Sequence, residues 1–272
     1  MMHMPPNPPL YSKSSSFTLP DTSPSHSRNC MDRYTATAKR SKFLKRLFKL
    51  GHMDFQFALW QMYYLFISPQ KVFRDFVYRK QTKNQFARDD PAFLVLLSGF
   101  LLISSILFGL VMKLSFFLLV KFVVWVVLID CIGVGIIIAS IYWYISNRFL
   151  LKNPKSNLDV EWAYCFDVHL NAFFPLLVIL HILQLPLLMT IIDHDWYLSS
   201  IVGNTFWLAG ISYYFYNLFL GFNVLPFLKN TKVLLYPFTI LILLYIVMTG
   251  LNINLSRLMM NAYEYRLLSW SP

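Results

Sequence analysis

Three polar residues interrupt long apolar stretches, where a polar side chain has to find a partner. Asp130 lies inside the apolar stretch 122–145, and His181 and Gln184 lie inside the stretch 172–192. His181 and Gln184 are three residues apart, so on a helix they share a face. Because a bare carboxylate in hydrocarbon is costly, Asp130 should face protein. The pattern predicts an intramembrane polar contact formed by Asp130, His181 and Gln184.

The depth of these residues indicates which of them meet. With a rise of about 1.5 Å per residue, Asp130 and His181 lie at similar depths in their stretches. We therefore predict a contact between Asp130 and His181. The pair could hold two helices together, or it could belong to a proton or ion relay, as in transporters. The sequence favours the structural role, because it has few such residues and no repeated halves.

A second polar cluster, residues 159–171, precedes the third apolar stretch. Glu161, Asp167 and His169 are residue types that bind metals. Asp167 and His169 are two residues apart, however, and such residues do not share a helix face. The sequence has no HExxH pattern, Walker loop, GxSxG elbow or Rossmann fingerprint. We therefore predict no metal, no cofactor and no catalytic residue, and we interpret the cluster as the hydrogen-bonded start of a helix.

Membrane helices are the elements that must position these residues. Of the 272 residues, 57% are hydrophobic and 14% are charged, and the mean hydropathy is +0.50. A soluble domain needs far more polar surface, and continuous apolar runs argue against a β-barrel. We expect the stretch 122–145 to be the central, protein-facing helix. The sequence predicts an all-α polytopic bundle of about five transmembrane helices, at 92–112, 122–145, 172–192, 198–220 and 233–251.

Composition divides the chain into four regions. Residues 1–36 are rich in Pro, Ser and Thr and are predicted to be a disordered tail. Residues 37–90 are predicted to form a basic amphipathic and interfacial helical arm in the cytosol. Residues 91–251 hold the predicted five-helix bundle, and residues 252–272 are predicted to be a lumenal tail.

The arm carries most of the basic excess of the chain. Residues 1–90 hold fifteen Lys and Arg against six Asp, and the whole chain has a formal net charge of +11. The arm could pack on the bundle with its cations as a solvated rim, or it could lie on acidic lipid and leave a face for a partner. The sequence favours the second arrangement. Six residues, called the arm cations below, would bind the membrane surface or a partner: Lys39, Arg40, Lys42, Lys45, Arg46 and Lys49.

The basic loops predict the orientation in the membrane. The loops 147–171 and 221–232 are basic, whereas 113–115 and 193–197 hold one Lys between them. The positive-inside rule then places the N-terminus in the cytosol and the C-terminus in the lumen. A glycosylation sequon begins at Asn254 on the lumenal side. We expect it to stay unmodified because it is so close to the last span.

Several long strings carry a family resemblance. They lie between Ala38 and Leu251 and read KFLKRLFKL, MDFQFALWQMYYLFISPQKVF, YRKQTKNQFARDDPAFLVLLS, WVVLIDCIGVG, DVEWAYCFDVHLNAFFPLLVILH, VGNTFWL and LPFLKNT. The chain thereby resembles the Unc-fifty family of multi-pass Golgi membrane proteins. The resemblance implies a role in vesicular trafficking, delivery of cell-surface receptors such as nicotinic acetylcholine receptors, and large Arf exchange factors as partners. For some members it implies RNA binding at the inner nuclear membrane.

Three functions follow as hypotheses. The first is a non-enzymatic Golgi membrane protein that supports vesicular and protein transport, with an arm that binds acidic lipids and Arf exchange-factor machinery and with receptors as cargo. The second is an RNA-binding protein of the inner nuclear membrane, which would use the basic arm. The third is a transporter or membrane enzyme that uses Asp130 and His181.

Overall fold

The computed structural model describes residues 53–75, 91–153 and 159–269. Within these ranges the secondary structure is helical, apart from one isolated backbone bridge between Leu151 and Leu228. The predicted all-α fold class is confirmed. The helices, numbered in chain order, are α1 (Phe55–Ile67), α2 (Ala92–Val111), α3 (Phe116–Leu150), α4 (Trp162–Ile192), α5 (Tyr197–Asn223), α6 (Thr231–Gly250) and α7 (Leu255–Ser269). Residues 69–75 are also helical.

Four helices are long enough and apolar enough to cross a membrane: α2, α3, α4 and α6. These four support the predicted polytopic membrane bundle. Helix α5 has 27 residues and no charged side chain, but it is less apolar than the four. The predicted span 198–220 lies within it, and its crossing of the membrane stays a prediction.

Helices α4 and α5, rather than α3, occupy the middle of the bundle. Helix α4 packs against α1, α2, α3 and α5, and α5 packs against α4, α6 and α7. Ser199, Asn204 and Asn217 of α5 are buried. Ser199 bonds to α4 and Asn204 bonds to α6, so these polar groups join α5 to its neighbours while lowering its hydropathy. The expectation that the stretch 122–145 is central is therefore corrected. That stretch lies in α3, which leaves residues such as Ile137 and Tyr144 about 60% exposed.

Exposed aromatic side chains mark the two ends of the bundle. At one end, Phe116 and Phe117 begin α3 and Trp196 precedes α5. At the other end, Tyr144 and Phe149 close α3, and Trp162 and Tyr236 lie at the starts of α4 and α6. Amphipathic rings collect at the membrane–water interface. We call the first end, with the loops 112–115, 193–196 and 251–254, the Asp193 end, and the second, which carries Lys152, Lys229 and Lys232, the basic end.

Wide π-helical turns interrupt α3 and α4. In α4, the wide segments Val178–Leu183 and Leu188–Ile192 follow Pro175 and Pro186. Proline has no backbone N–H to donate, so regular α-helical bonding fails there. In α3, the wide segments are Val126–Gly133 and Ser146–Leu150. The first of them contains Asp130, and such turns occur often at functional sites.

Of the predicted arm, the structure describes α1 and the residues next to it, 53–54 and 68–75. Asp54 accepts a hydrogen bond from the Phe57 backbone N–H at 2.9 Å and thereby caps α1. Met62 and Leu65 are buried against α2 and α4. Tyr63 is 62% exposed on the opposite side. One face of α1 therefore packs as core, which leaves the other face for lipid or water.

The region predicted to be a C-terminal tail contains a helix. Asn254 caps α7 by accepting a hydrogen bond from the Arg257 backbone N–H at 3.2 Å. Helix α7 packs against α5 and the first part of α3. Its apolar residues are mixed with Arg257, Glu264 and Arg266. The mean hydropathy of α7 is therefore that of a surface segment, and for this reason its sequence predicted a tail rather than a packed helix.

Candidate functional site

Asp130 lies under the C-terminal helix. Its Oδ2 atom accepts a hydrogen bond from the Tyr263 hydroxyl at 2.6 Å. The Tyr263 ring packs edge-on against the Phe122 ring, with their centroids 5.3 Å apart. The Arg266 guanidinium lies 5.6 Å from the centre of the Trp125 ring. One side of α7 therefore supplies the donor that the carboxylate needs inside an apolar helix.

His181 faces a different helix from Asp130. Its Nδ1 atom shares a hydrogen bond with the Ser104 hydroxyl of α2 at 3.2 Å, and its ring lies 4.9 Å from that of Phe108. The predicted pairing of Asp130 with His181 is therefore not the one that forms. Similar depth does not determine the direction in which a side chain points. Asp130 on α3 points toward α7, whereas His181 on α4 points toward α2.

Gln184 also bonds to the C-terminal helix. Its side-chain N–H donates to the Ser256 hydroxyl, which accepts a second hydrogen bond from the Trp207 indole at 3.1 Å. Gln184 and Ser256 are both buried. The three residues come from α4, α7 and α5. Two of the three predicted intramembrane polar residues therefore hold α7 on the bundle, and the third joins α4 to α2.

A further layer of buried polar residues joins α1, α4 and α5. Gln61 donates to the Asn171 side-chain oxygen at 2.9 Å. The Tyr214 hydroxyl and His169 Nδ1 are 2.7 Å apart. Nearby, the buried Tyr164 hydroxyl donates to the backbone carbonyl of Gly221 at 2.5 Å. Such bonds substitute for the hydrophobic effect, which is weak between helices in lipid.

Glycines let the helices of this layer approach closely. A Cβ at Gly135 in α3 would lie 2.6 Å from His169 Nε2 in α4. A Cβ at Gly221 in α5 would lie 2.6 Å from a methyl carbon of Val168. Neither position has room for a side chain unless a neighbour moves. Gly135 is therefore a point of close contact between α3 and α4.

A polar pocket of about 590 Å³ opens at the Asp193 end. The end of α2, the segment 188–195 and the start of α7 form its walls. Arg257 pairs with Asp193 at 3.6 Å and with Asp195. The hydrogen bond to Asp195 raises the pKa of the Arg257 guanidinium above its ordinary value. Lys113 and Glu264 also line this pocket, called the Asp193-end pocket below.

The sequon asparagine beside this pocket is fully engaged. The Asn254 side-chain nitrogen donates to the Ile192 carbonyl at 2.9 Å and to the Ser199 hydroxyl at 2.8 Å. Ser256, the third sequon residue, is buried. A glycan on Asn254 would replace one of these N–H groups and displace α7. This geometry supports the expectation that the sequon stays unmodified.

The metal-type residues of 159–171 do not gather around one point. Asp167 and His169 are buried in α4, whereas Glu161 is exposed before its first turn. Among residues 53–75, 91–153 and 159–269, no three His, Cys, Asp or Glu side chains lie close enough together to hold a metal ion. The arm cations, Lys39 to Lys49, lie outside the described residues.

Comparisons with known proteins decide the family. The model of the UNC-50 family matches residues 43–264. The chain belongs to the UNC-50 family. The human protein unc-50 homolog is 56% identical and covers 86% of this chain and 90% of its own length. The zebrafish (Danio rerio) homolog is 54% identical over 91% of this chain and 99% of its own length. The Drosophila melanogaster homolog is 51% identical over 94% of this chain and 92% of its own length. No solved structure matches.

Most of the polar contacts described above lie inside the UNC-50 family segment. It includes Asp130, His181, Gln184 and Tyr263, and it ends at residue 264, before Arg266. Sequence reasoning missed Tyr263 because it stood in a predicted tail. It also missed Gln61, although a lone glutamine in an aromatic, apolar stretch is itself a signal of a buried partner.

Proposed function

We propose that this UNC-50 family protein is a non-enzymatic, multi-pass Golgi membrane protein that supports vesicular transport. In this proposal it promotes delivery of receptors, such as nicotinic acetylcholine receptors, to the cell surface, and it does so by engaging large Arf exchange factors. Family membership over residues 43–264 is the observation that carries the proposal. The N-terminus is proposed to be cytosolic and the C-terminus lumenal, because the Lys-rich loops gather at the basic end.

The intramembrane polar contacts support a structural role for the bundle. Asp130 bonds to α7, His181 bonds to α2, and His169 bonds to α5. These are three separate pairs between different helices, and within the described part of the chain no hydrogen bond joins one pair to another. A proton or ion relay needs connected groups. Separate pairs instead suit helices that must be held together in lipid.

The basic end offers a shaped surface for a cytosolic partner. Lys229 donates its backbone N–H to the Leu150 carbonyl at 2.7 Å, and the backbone N–H of Lys152 donates to the Phe227 carbonyl at 3.0 Å. The Lys152 ammonium also donates to the Pro226 carbonyl at 2.5 Å. These bonds tie the ends of α3 and α5 together. In the proposal, this surface and the arm cations face acidic lipid and the exchange factor.

Capture from Golgi membranes tests the proposed partner. Tagged full-length protein is compared with a variant in which the six arm cations are changed to Glu, and with a control in which Lys113 at the opposite end is changed to Glu. The proposal predicts that wild type and control retain an Arf exchange factor, and that the arm variant loses it while staying folded. Equal capture by all three proteins would refute the role of the arm, and capture by none would refute the partner.

A further inference from the structure

Lys113 and Glu264 are the charged residues of the Asp193-end pocket that take no part in its internal ion pairs. Arg257 is engaged by Asp193 and Asp195. Lys113 and Glu264 line the same pocket, and neither forms an ion pair with any residue in the described ranges. The two are therefore more than 4.0 Å apart, and a ligand between them would meet one positive and one negative charge.

Helix α7 carries Glu264 inward from the Asp193 end. Helix α7 begins at the Asp193 end, and its Tyr263 contacts Phe122, which is six residues inside α3. At about 1.5 Å per residue, six residues place this contact roughly 9 Å beyond the exposed Phe116 at the rim. Glu264 is exposed at this level. A carboxylate there cannot face hydrocarbon without a large cost, so the pocket must hold polar matter.

The walls of the pocket combine polar and apolar side chains. Met189 and Leu258 line it and are 54% and 48% exposed. Lys113 lies at its rim, in a left-handed turn with φ of 54° between α2 and α3. The volume of about 590 Å³ is within the range of small-ligand sites. An apolar flank next to paired charges, at the depth of an interface, suits an amphiphile rather than a freely soluble ion.

We propose that the Asp193-end pocket binds a phospholipid with a zwitterionic headgroup. Lys113 binds the phosphate, Glu264 binds the headgroup ammonium, and Met189 and Leu258 contact the first part of an acyl chain. The Arg257 pairs with Asp193 and Asp195 keep α7 in place as the wall of the pocket. Phosphatidylethanolamine is the probe with the strongest match, because its primary ammonium can donate directly to a carboxylate. The site is independent of the proposed transport function.

Lipid binding to the purified full chain tests this proposal. Native mass spectrometry in detergent would compare phosphatidylethanolamine, phosphatidic acid and diacylglycerol of the same acyl chains. Phosphatidylethanolamine should bind most tightly, phosphatidic acid should lose the Glu264 contact, and diacylglycerol should lose both. Each lost contact should weaken binding by about tenfold, which is the effect of one charge-assisted hydrogen bond. Equal binding of all three lipids would overturn the proposal.

Matched variants separate the pocket from general lipid adhesion. Lys113→Ala and Glu264→Gln should each weaken phosphatidylethanolamine about tenfold, and Glu264→Gln should leave phosphatidic acid unchanged. Lys232→Ala and Glu161→Gln make the same changes at exposed positions of the basic end and should leave the binding of phosphatidylethanolamine unchanged. Pocket variants that bind like the controls would contradict the assignment.

Competition by a soluble headgroup distinguishes a phospholipid ligand from a free zwitterion that carries the same charged groups. Free phosphoethanolamine carries the phosphate and the ammonium but has no acyl chain to contact Met189 and Leu258. Its affinity for the pocket should therefore be at least about tenfold lower than that of phosphatidylethanolamine, so at the same concentration it should displace little lipid. If phosphoethanolamine competes as well as the lipid, the ligand is a soluble zwitterion and the phospholipid proposal is wrong.

Discussion

Removing the Tyr263 hydroxyl is the sharpest test of how α7 is held on the bundle. Tyr263→Phe leaves the ring against Phe122 and deletes the donor that lies 2.6 Å from Asp130. Hydrogen bonds to charged groups contribute roughly 1.5–3 kcal/mol when buried. Asp130 is only partly buried, so we expect the free energy of unfolding to fall by about 1–2 kcal/mol.

The matched control is two residues away. Tyr265 is 75% exposed, so Tyr265→Phe should change the free energy of unfolding by less than about 0.5 kcal/mol. Thermal unfolding in detergent should show a Tm lower by about 2–6 °C for Tyr263→Phe and no shift for Tyr265→Phe. The two variants have the same change in composition, so their difference reports the hydrogen bond.

A double-mutant cycle identifies the partner of that hydroxyl. In the Asp130→Asn background the acceptor is neutral, so Tyr263→Phe should cost less than it does in the wild type. The expected coupling between the two changes is at least about 0.5 kcal/mol. Strict additivity, or a Tyr263→Phe variant as stable as Tyr265→Phe, would refute the reasoning that Asp130 anchors α7.

Three further predictions concern packing, polar pairing and topology. Gly135→Ala should destabilise the protein by about 1–3 kcal/mol, because its Cβ would meet His169; Gly99→Ala, with open space around it, should stabilise by about 0.5–1 kcal/mol in the same unfolding assay. Asp130→Asn and His181→Gln should have additive effects, since they share no partner, and a coupling above about 0.5 kcal/mol would restore their contact. Protease added to sealed microsomes should remove an N-terminal tag and spare a C-terminal one, and the reverse would reject the proposed orientation.

The apolar runs of the sequence predicted the membrane helices because each run is continuous and long enough to span. Runs do not reveal which helix is central, however. The polar residues of α5 lower its hydropathy, yet Ser199 and Asn204 bond to neighbouring helices and hold α5 inside the bundle. The exposed face of α3 shows the converse, since lipid contact selects for apolar residues as strongly as a core does.

The polar contacts show where depth arithmetic stops. A rise per residue fixes how far Asp130 and His181 lie along their helices, but it says nothing of the direction in which each side chain points. The true partner of Asp130, Tyr263, is 133 residues away in a segment whose mixed composition predicted no membrane contact. Gln61 and Asn171, which are 110 residues apart, were likewise beyond any local pattern.

Receptor delivery per folded molecule tests the central claim, that the protein supports transport and that its intramembrane polar residues are structural. Cells without the protein would be supplied with wild type, Asp130→Asn, His181→Gln or the arm variant with its six cations changed to Glu. Surface nicotinic receptors would be counted against the amount of folded protein. We predict normal delivery per folded molecule for Asp130→Asn and His181→Gln and a loss for the arm variant. Folded Asp130→Asn or His181→Gln protein that delivers no receptor, beside an arm variant that delivers normally, would contradict the account.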